Sequence, residues 1–188
     1  MVDPTDVTKF DRNKAELEEF LLFCVAVAGK TASQISVALE RFLANGPEAV
    51  SPFDKVRYLI KKKKLREAII ESKLGQHNKL TRAFTELVKA DFDLPKITTD
   101  ELETIHGVGP KTSRFFILHT QPKVRIACLD THVLKYLGEL GHDVPKTTPT
   151  GKRYRELEKA FIEHCDEVGK DIATLDLEVW NRYSRKAS

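Results

Sequence analysis

The sequence predicts an all-α protein. Apolar residues recur at helical spacing along much of the chain, and residues typical of helix starts precede several of these stretches. Strand signals are weak, because the alternation at Val124, Ile126 and Cys128 is short and lies between Pro122 and a helix-cap candidate. With no internal repeat and no low-complexity tract, we expect helices joined by short connections.

In the first half of the chain, apolar spacing and capping residues predict three helices. Residues 15–28 carry an apolar helical stripe that becomes apolar on all sides toward its end. Residues 51–54 supply an N-cap serine, a proline at the first helical position and an acidic residue three positions after the cap. Gly75 interrupts the chain before a helix over about residues 78–90.

The second half is expected to contain a short helix and four longer ones. Thr98 and Glu101 have the spacing of a capping box in front of the short helix. Pro110 suits the first turn of the next helix, and Asp130 is a cap candidate for the one that follows. A turn over residues 169–174 separates the last two. The four longer helices are predicted over about residues 110–119, 133–140, 153–168 and 176–185.

Composition and length are those of an ordinary soluble protein. The 188 residues suit one domain or two small lobes, and 41% of them are apolar while 31% are charged. No apolar run approaches the ~18 residues of a membrane span, and the acidic start does not resemble a secretion signal. We therefore expect an intracellular protein without a membrane partner, in the cytoplasm or nucleoid, or in the nucleus of a eukaryote.

Cysteine and charge patterns narrow the class further. Cys24, Cys128 and Cys165 are far apart and odd in number, which predicts buried thiols rather than a disulfide framework or a metal cluster. The net charge of +3 is mild. Basic runs at residues 61–64 and 182–186 fit a solvated surface first and phosphate contacts second.

The most informative segment covers residues 102–137. In it, Gly107 and Gly109 flank Val108 between the end of a short helix and a new helix that begins at Pro110. Glycine permits backbone torsions closed to other residues, and the unpaired amides of a helix start favour an anion. This turn therefore suits a clamp on DNA phosphates without base preference, although such turns are also common as plain connections.

Lys111 and Asp130 are the candidate catalytic pair. Lys111 lies in the first turn of its helix, where the helix dipole is expected to lower its pKa and supply a neutral amine nucleophile. Asp130 follows 19 residues later (130 − 111), at a helix start whose amides are expected to keep its carboxylate ionised. The pair suits attack on an electrophilic sugar carbon. Taken singly, a solvated lysine and a capping aspartate are the ordinary interpretations.

The same segment closely resembles the helix-hairpin-helix glycosylases of base-excision repair, which include endonuclease III and the 8-oxoguanine glycosylases. The family hairpin Leu-Pro-Gly-Val-Gly-x-Lys is matched by residues 105–111, Ile-His-Gly-Val-Gly-Pro-Lys, and a Val-Asp-Thr-His element by residues 129–132, Leu-Asp-Thr-His. The resemblance implies a DNA glycosylase with AP lyase activity, in which Lys111 forms a Schiff base and Asp130 activates it. His106 replaces the family proline, which should loosen the turn, and His132 is expected to be structural.

Two features of the C-terminal part bear on the branch of the family. The chain lacks the four-cysteine spacing of the endonuclease III iron–sulfur cluster, so no such cluster is expected. The tail instead resembles the base pocket of the archaeal 8-oxoguanine glycosylases. The resemblance implies that Phe115 and Trp180 sandwich the extruded base and that Asp176 accepts from its ring nitrogens. Core aromatics and a helix-cap aspartate are the competing interpretation.

The likeness outside the hairpin is less specific. It places Lys30 where a residue fills the gap left by the extruded base. It also implies a monovalent cation on hairpin carbonyls, and no organic cofactor. The expected cation ligands are the carbonyls of Glu103, Ile105 and Val108. The loop after Gly75 resembles the duplex wedge or is an ordinary helix-start turn, with three candidate wedge residues, Gln76, His77 and Asn78.

By resemblance, the chain is a single glycosylase unit of two helical lobes with a DNA-binding cleft between them. One lobe is expected over residues 30–128, with the hairpin at 102–119, and the other over 1–29 and 129–188. The expected partner of this monomer is duplex DNA with a damaged base, first 8-oxoguanine, then an oxidised pyrimidine or another modified base. The alternatives are a base-modifying transferase on the same fold, a non-catalytic DNA-binding module and a helical interaction protein.

Overall fold

A computed structural model describes residues 1–184 of the chain. These residues form ten α-helices and one 3-10 turn at Leu94–Lys96, and the described part contains no strand, which confirms the all-α prediction. None of these helices combines the length and the apolar character needed to cross a bilayer. The helices are α1 (Lys14–Ala26), α2 (Ala32–Ala44), α3 (Pro52–Lys61), α4 (Leu65–Glu71), α5 (His77–Ala90), α6 (Thr99–Glu103), α7 (Pro110–Thr120), α8 (Thr131–Glu139), α9 (Gly151–Glu167) and α10 (Ile172–Ser184).

Several helices start at the predicted capping residues. Ser51 Oγ accepts the Asp54 N–H at 3.3 Å in front of α3. At the start of α6, Thr98 Oγ1 accepts the Glu101 N–H at 3.3 Å, while Glu101 Oε2 accepts the Thr98 N–H at 2.9 Å. Asp130 caps α8 through its side chain. These capping bonds satisfy amides that a helix start leaves unpaired, which explains why the pattern located these starts.

Two helices, α2 and α4, have no counterpart in the sequence prediction. Neither Thr31 before α2 nor Lys64 before α4 makes a side-chain capping bond. Both helices therefore lack the side-chain cap found at the starts of α1, α3, α6 and α8, and packing against neighbouring helices stabilises them. They contact each other, and α4 also packs against α3 and α5.

The last helix, α10, begins earlier than predicted. It starts at Ile172, four residues before the predicted start at Asp176 (176 − 172). The Asp171 carboxylate accepts the Ala173 N–H at 2.9 Å and so caps the helix at this earlier position. The predicted turn over 169–174 is correspondingly shorter, and Asp176 lies inside the helix, so it is not a helix cap. The predicted helix end at Arg185 and the basic residues Arg185 and Lys186 lie outside the described residues.

Buried apolar side chains form two clusters. The first cluster gathers α1 to α6 and most of α7, and the second gathers the end of α7, residues 127–129 and α8 to α10. Helix α1 is buried on nearly every face and packs against α2, α3, α5 and α7. The structure therefore places this helix in the first cluster, which differs from the predicted grouping of residues 1–29 with the C-terminal part. Its all-round apolar surface requires neighbours on every side.

Candidate active site

A cavity of about 930 Å³ lies beside α7. Its wall comes from the N-terminal segment, the α1–α2 connection, the start of α7, residues 128–132, residues 146–148 and α10. This volume is at the upper end of the range of small-molecule pockets, so it can hold a nucleotide base. Seven residues selected from the sequence line it: Lys30, Lys111, Phe115, Asp130, His132, Asp176 and Trp180.

The hairpin turn between α6 and α7 uses its two glycines differently. Gly107 has a φ of +76°, in the left-handed region that favours glycine. Gly109 is extended, with φ −112° and ψ −177°, and a Cβ added there would meet nothing within 4 Å. The expectation of special torsions is therefore wrong for Gly109, but the open space in front of it leaves the backbone accessible. Val108 packs its side chain into the first cluster.

His106 anchors the turn instead of loosening it. Its backbone N–H, which the proline of the family hairpin would lack, donates to Glu86 Oε2 at 2.6 Å. Inside the turn, the Val108 N–H donates to the Ile105 carbonyl at 3.0 Å. The expected loosening is therefore wrong, because the residue that replaces proline supplies a donor that ties the hairpin to α5.

Lys111 lies in the first turn of α7, with its Nζ 4.9 Å from the centroid of the Phe115 ring. Burial acts to lower the pKa of Lys111, but Cys128, Asp130 and Asp176 among its neighbours raise it above its ordinary value. The Cys128 thiol is itself neutral, since burial raises its pKa well above the usual range. The carboxylates therefore supply the negative charge. The predicted lowering of the Lys111 pKa is wrong, and the free protein holds an ammonium.

Asp130 presents one anchored oxygen and one unbonded oxygen. Its Oδ1 accepts the N–H groups of His132 at 2.9 Å and Val133 at 2.8 Å, which confirms the predicted cap. Within residues 1–184, Oδ2 accepts no hydrogen bond. Burial and the charge of Asp176 raise the pKa of Asp130, and they outweigh the opposite effects of Lys111 and the amides. This carboxylate therefore accepts a proton more readily than an ordinary aspartate.

A network around Arg114, which the sequence prediction missed, fixes the hairpin helix against the chain that leads to Asp130. Arg114 pairs with Glu103 at 3.0 Å and with Glu158 of α9 at 2.6 Å, and its guanidinium lies 4.8 Å from the centroid of the Tyr154 ring. Glu158 Oε1 also accepts the Ala127 N–H at 3.1 Å, and the Tyr154 hydroxyl donates to the Ala127 carbonyl at 2.8 Å. No motif marks these residues, because their contacts join distant segments.

Asp176, in the cavity wall, has a carboxylate oxygen without a hydrogen-bond partner in the described residues. Its Oδ2 lies 3.2 Å from His119 Nε2, while its Oδ1 is buried and has no hydrogen-bond partner in the described part of the chain. Phe115 and Trp180 are both half-buried and line the same cavity. The structure thus brings together the three residues of the expected base pocket. An unpaired buried carboxylate oxygen is a costly feature that a hydrogen-bond donor on a ligand would satisfy.

Comparisons with known proteins identify the family of this chain. A family model described as 8-oxoguanine DNA glycosylase matches residues 5–170. The chain belongs to this family. It is also 25% identical over 176 residues to the 8-oxoguanine DNA glycosylase/AP lyase of Methanocaldococcus jannaschii, a match that covers 90% of this chain and 82% of that protein. No solved structure matches. Membership confirms the predicted family and the predicted enzyme class.

The family match of this glycosylase ends at residue 170, before α10 begins. Lys111 and Asp130 lie inside the matched range, whereas Asp176 and Trp180 lie beyond it. The placement of these two residues in the cavity therefore comes from the fold alone.

The His132 ring packs against two aromatic rings of α10. It stacks on the Tyr183 ring, with the ring centroids 6.1 Å apart, and meets the Trp180 ring edge-on, with the centroids 6.4 Å apart.

Of the gap-filling and wedge candidates of the glycosylase, Lys30 lines the cavity and the other three do not. Lys30 is exposed there, and a Cβ placed on Gly75 would lie 3.5 Å from its Cε. Gln76 has a φ of +44° and donates from Nε2 to the Ala28 carbonyl at 3.0 Å, which ties the two loops together. Two further candidates begin α5 outside the cavity lining, His77 and Asn78.

The loop between α8 and α9 adds residues that the sequence prediction missed. Lys146 is exposed on the cavity wall, and Thr148 Oγ1 donates to the Leu129 carbonyl at 3.0 Å, next to Asp130. A proline- and threonine-containing loop without a motif gave no signal for either residue.

Among residues 1–184, no group of three or more His, Cys, Asp or Glu side chains is arranged to hold a metal ion.

Proposed function

We propose that this glycosylase excises 8-oxoguanine from duplex DNA and then cleaves the strand by β-elimination through a Schiff base on Lys111. The observation that carries the proposal is the convergence of Lys111, Asp130 and Asp176 on one cavity of a size suited to a base. The relative from Methanocaldococcus jannaschii is named for both activities. As part of the same proposal, the enzyme acts as a monomer inside the cell.

The damaged nucleotide leaves the duplex and enters the cavity. Extrusion costs a few kcal/mol, and stacking of the base between Phe115 and Trp180 offsets this cost. Asp176 Oδ1 accepts a hydrogen bond from an N–H group on the edge of the base. In this proposal Lys30 and Gln76 fill the emptied stack, since Lys30 lines the cavity and the Gln76 side chain donates to the Ala28 carbonyl in the loop that carries Lys30.

Base release needs the amine of Lys111 in its neutral form. Lys111 gives a proton to Asp130, whose raised pKa makes it a better base than an ordinary aspartate. Nζ then bonds to C1′ of the sugar, the bond from C1′ to the base breaks, and its electron pair leaves with the base, which takes up a proton. The proton that the departing base takes up comes from Asp130, and the carboxylate, which is then ionised again, stabilises the positive charge on the sugar–amine adduct.

Strand cleavage follows from the covalent adduct. Opening of the bond between C1′ and the ring oxygen gives the Schiff base, which makes the C2′ hydrogens acidic. Loss of a C2′ proton then expels the 3′-phosphate as the leaving group. Lys111 therefore serves both steps, first as the nucleophile and then as the electron sink of the β-elimination.

The hairpin supplies the contact with the DNA backbone. The N-terminus of α7 has no side-chain cap, and the space in front of Gly109 is open, so backbone amides can reach a phosphate. The proposal includes a monovalent cation on the carbonyls of Glu103, Ile105 and Val108, which would add positive charge beside that phosphate. These groups fit, since the Val108 carbonyl accepts no backbone hydrogen bond in residues 1–184 and the Ile105 carbonyl keeps a second lone pair.

Borohydride trapping tests the proposal directly. Wild-type protein should form a covalent adduct with a duplex that contains one 8-oxoguanine, and Lys111→Gln should abolish the adduct but preserve DNA binding. Lys152→Gln, at an exposed lysine of α9, is the matched control. Release of the free base separates excision from group transfer. An adduct that survives in Lys111→Gln would assign another nucleophile, and absence of duplex binding at low salt would favour the helical interaction protein.

A further inference from the structure

His119 is a buried histidine whose two ring nitrogens both have partners. It lies near the end of α7 and is 0% exposed. Its Nδ1 is 2.8 Å from Thr8 Oγ1, and its Nε2 is 3.2 Å from Asp176 Oδ2. The imidazole therefore connects the N-terminal segment with α10 behind the wall of the cavity. Neither the hairpin motif nor the mechanism above uses this residue.

Two carboxylates line the cavity, and they are held in different ways. Asp130 is fixed at Oδ1 by two amides of α8. Asp176 is fixed at Oδ2 by His119 alone, because its Oδ1 has no partner in the described residues. Without that single bond, no hydrogen bond within residues 1–184 would fix the orientation of the Asp176 carboxylate. His119 thus keeps the two carboxylates in separate roles.

We propose that His119 is a positioning residue that commits Asp176 to base recognition. Thr8 donates its hydroxyl hydrogen to Nδ1, which places the imidazole proton on Nε2, and Nε2 donates to Asp176 Oδ2. Asp176 Oδ1 is then left as a buried, unpaired acceptor on a residue of the cavity wall, so the site selects a base that presents N–H donors on the bound edge, as a guanine-type purine does. The inference rests on the proposed function, since it assigns the selectivity of the same site.

Two reactions of the same enzyme show whether His119 positions Asp176 or only supports the fold. Excision from a duplex with 8-oxoguanine requires Asp176 to bind the base, whereas cleavage at a preformed abasic site requires Lys111 but involves no base. His119→Phe keeps a ring but removes both nitrogens, and His119→Gln retains an amide N–H near the position of Nε2. Thr8→Val removes only the hydroxyl that orients the imidazole.

Single-turnover rates should show a selective loss. We expect His119→Phe to slow excision by about tenfold to a hundredfold, the size of one lost hydrogen bond to a charged group, with abasic-site cleavage unchanged. His119→Gln should restore most of the excision rate. Thr8→Val should slow excision by a few-fold and leave abasic-site cleavage at the wild-type rate.

The controls make each outcome decisive. Equal slowing of both reactions in a folded His119→Phe protein, or no slowing of either, overturns the positioning role. If His119→Phe does not fold, as judged by thermal unfolding, Thr8→Val decides by the same comparison. Absence of base release by the wild-type protein from every lesion duplex would instead overturn the proposed function, and the inference with it.

Discussion

The carboxylates of Asp130 and Asp176 line the same cavity, and the charge of Asp176 adds to burial in raising the pKa of Asp130. Both carboxylates also act on Lys111, where they raise the pKa of the ammonium against the effect of burial. The charge of Asp176 therefore acts on both members of the catalytic pair. In the free protein, the amine of this pair holds a proton, which it must lose before it can attack.

This linkage predicts the effect of Asp176→Asn on the pH dependence of Schiff-base formation. Removal of one negative charge lowers the pKa of both Asp130 and Lys111, so the neutral amine becomes available at lower pH. The acidic limb of the rate profile should therefore move to lower pH. The measurement is the rate of borohydride trapping on a preformed abasic site, which needs no base recognition. A limb that stays in place, or moves to higher pH, contradicts the linkage.

Replacement of Asp130 by asparagine should separate stability from activity. The Asn oxygen can still accept the amides of His132 and Val133, so the cap of α8 is retained. Because the folded pKa of Asp130 is raised, its ionised form destabilises the fold at pH values above that pKa, and a neutral side chain removes this cost. We expect the melting temperature at neutral pH to stay equal or rise.

Base release by Asp130→Asn should nevertheless fall by about two to four orders of magnitude, since the variant cannot take the proton of Lys111 or stabilise the sugar cation. Single-turnover excision and thermal unfolding on the same preparation check both halves. Near-wild-type turnover would remove Asp130 from the mechanism. A lower melting temperature would show that its charge stabilises the fold.

The two hairpin glycines predict opposite phenotypes for the same substitution. Gly107→Ala forces a side chain into a left-handed conformation and should destabilise the fold by about 1 kcal/mol. Gly109→Ala should leave stability unchanged, because its backbone is extended and its surroundings are open. Its methyl group should instead hold a phosphate away and weaken binding of undamaged duplex by several-fold, measured over a salt series. Unchanged duplex binding by Gly109→Ala would exclude the phosphate clamp.

Trp180→Ala tests the stacking side of the base pocket. Loss of one stacked ring should weaken binding of lesion duplex by about tenfold, with binding of undamaged duplex preserved. Tyr58→Ala removes an aromatic ring of α3 outside the cavity and serves as the control. Fluorescence anisotropy with matched lesion and undamaged duplexes measures the ratio. Equal losses on the two duplexes would assign Trp180 to packing.

The limits of sequence reasoning follow from the range of the interactions. Ser51 and Thr98 were recognised as caps because a cap is a local pattern, and Lys111 and Asp130 because their motifs are local too. His119 gave no signal, since its meaning depends on Thr8 and Asp176, 111 and 57 residues away. The reversed pKa direction of Lys111 has the same cause: the helix dipole is local, while the carboxylates arrive through tertiary structure.

Arg114 should control the position of the hairpin helix, which carries Lys111, relative to the segment that leads to Asp130. Arg114→Met leaves Glu103 and Glu158 without their cation, and Glu158 is only 12% exposed, so the loss of stability should be about 2–3 kcal/mol. Because Glu158 also holds the Ala127 amide before Asp130, we expect both base release and abasic-site cleavage to fall. Arg153→Met, at an arginine that pairs with exposed Asp143, is the matched control and should change neither rate. If Arg114→Met lowers the melting temperature but keeps both rates, the network supports the fold without setting the geometry of Lys111 and Asp130.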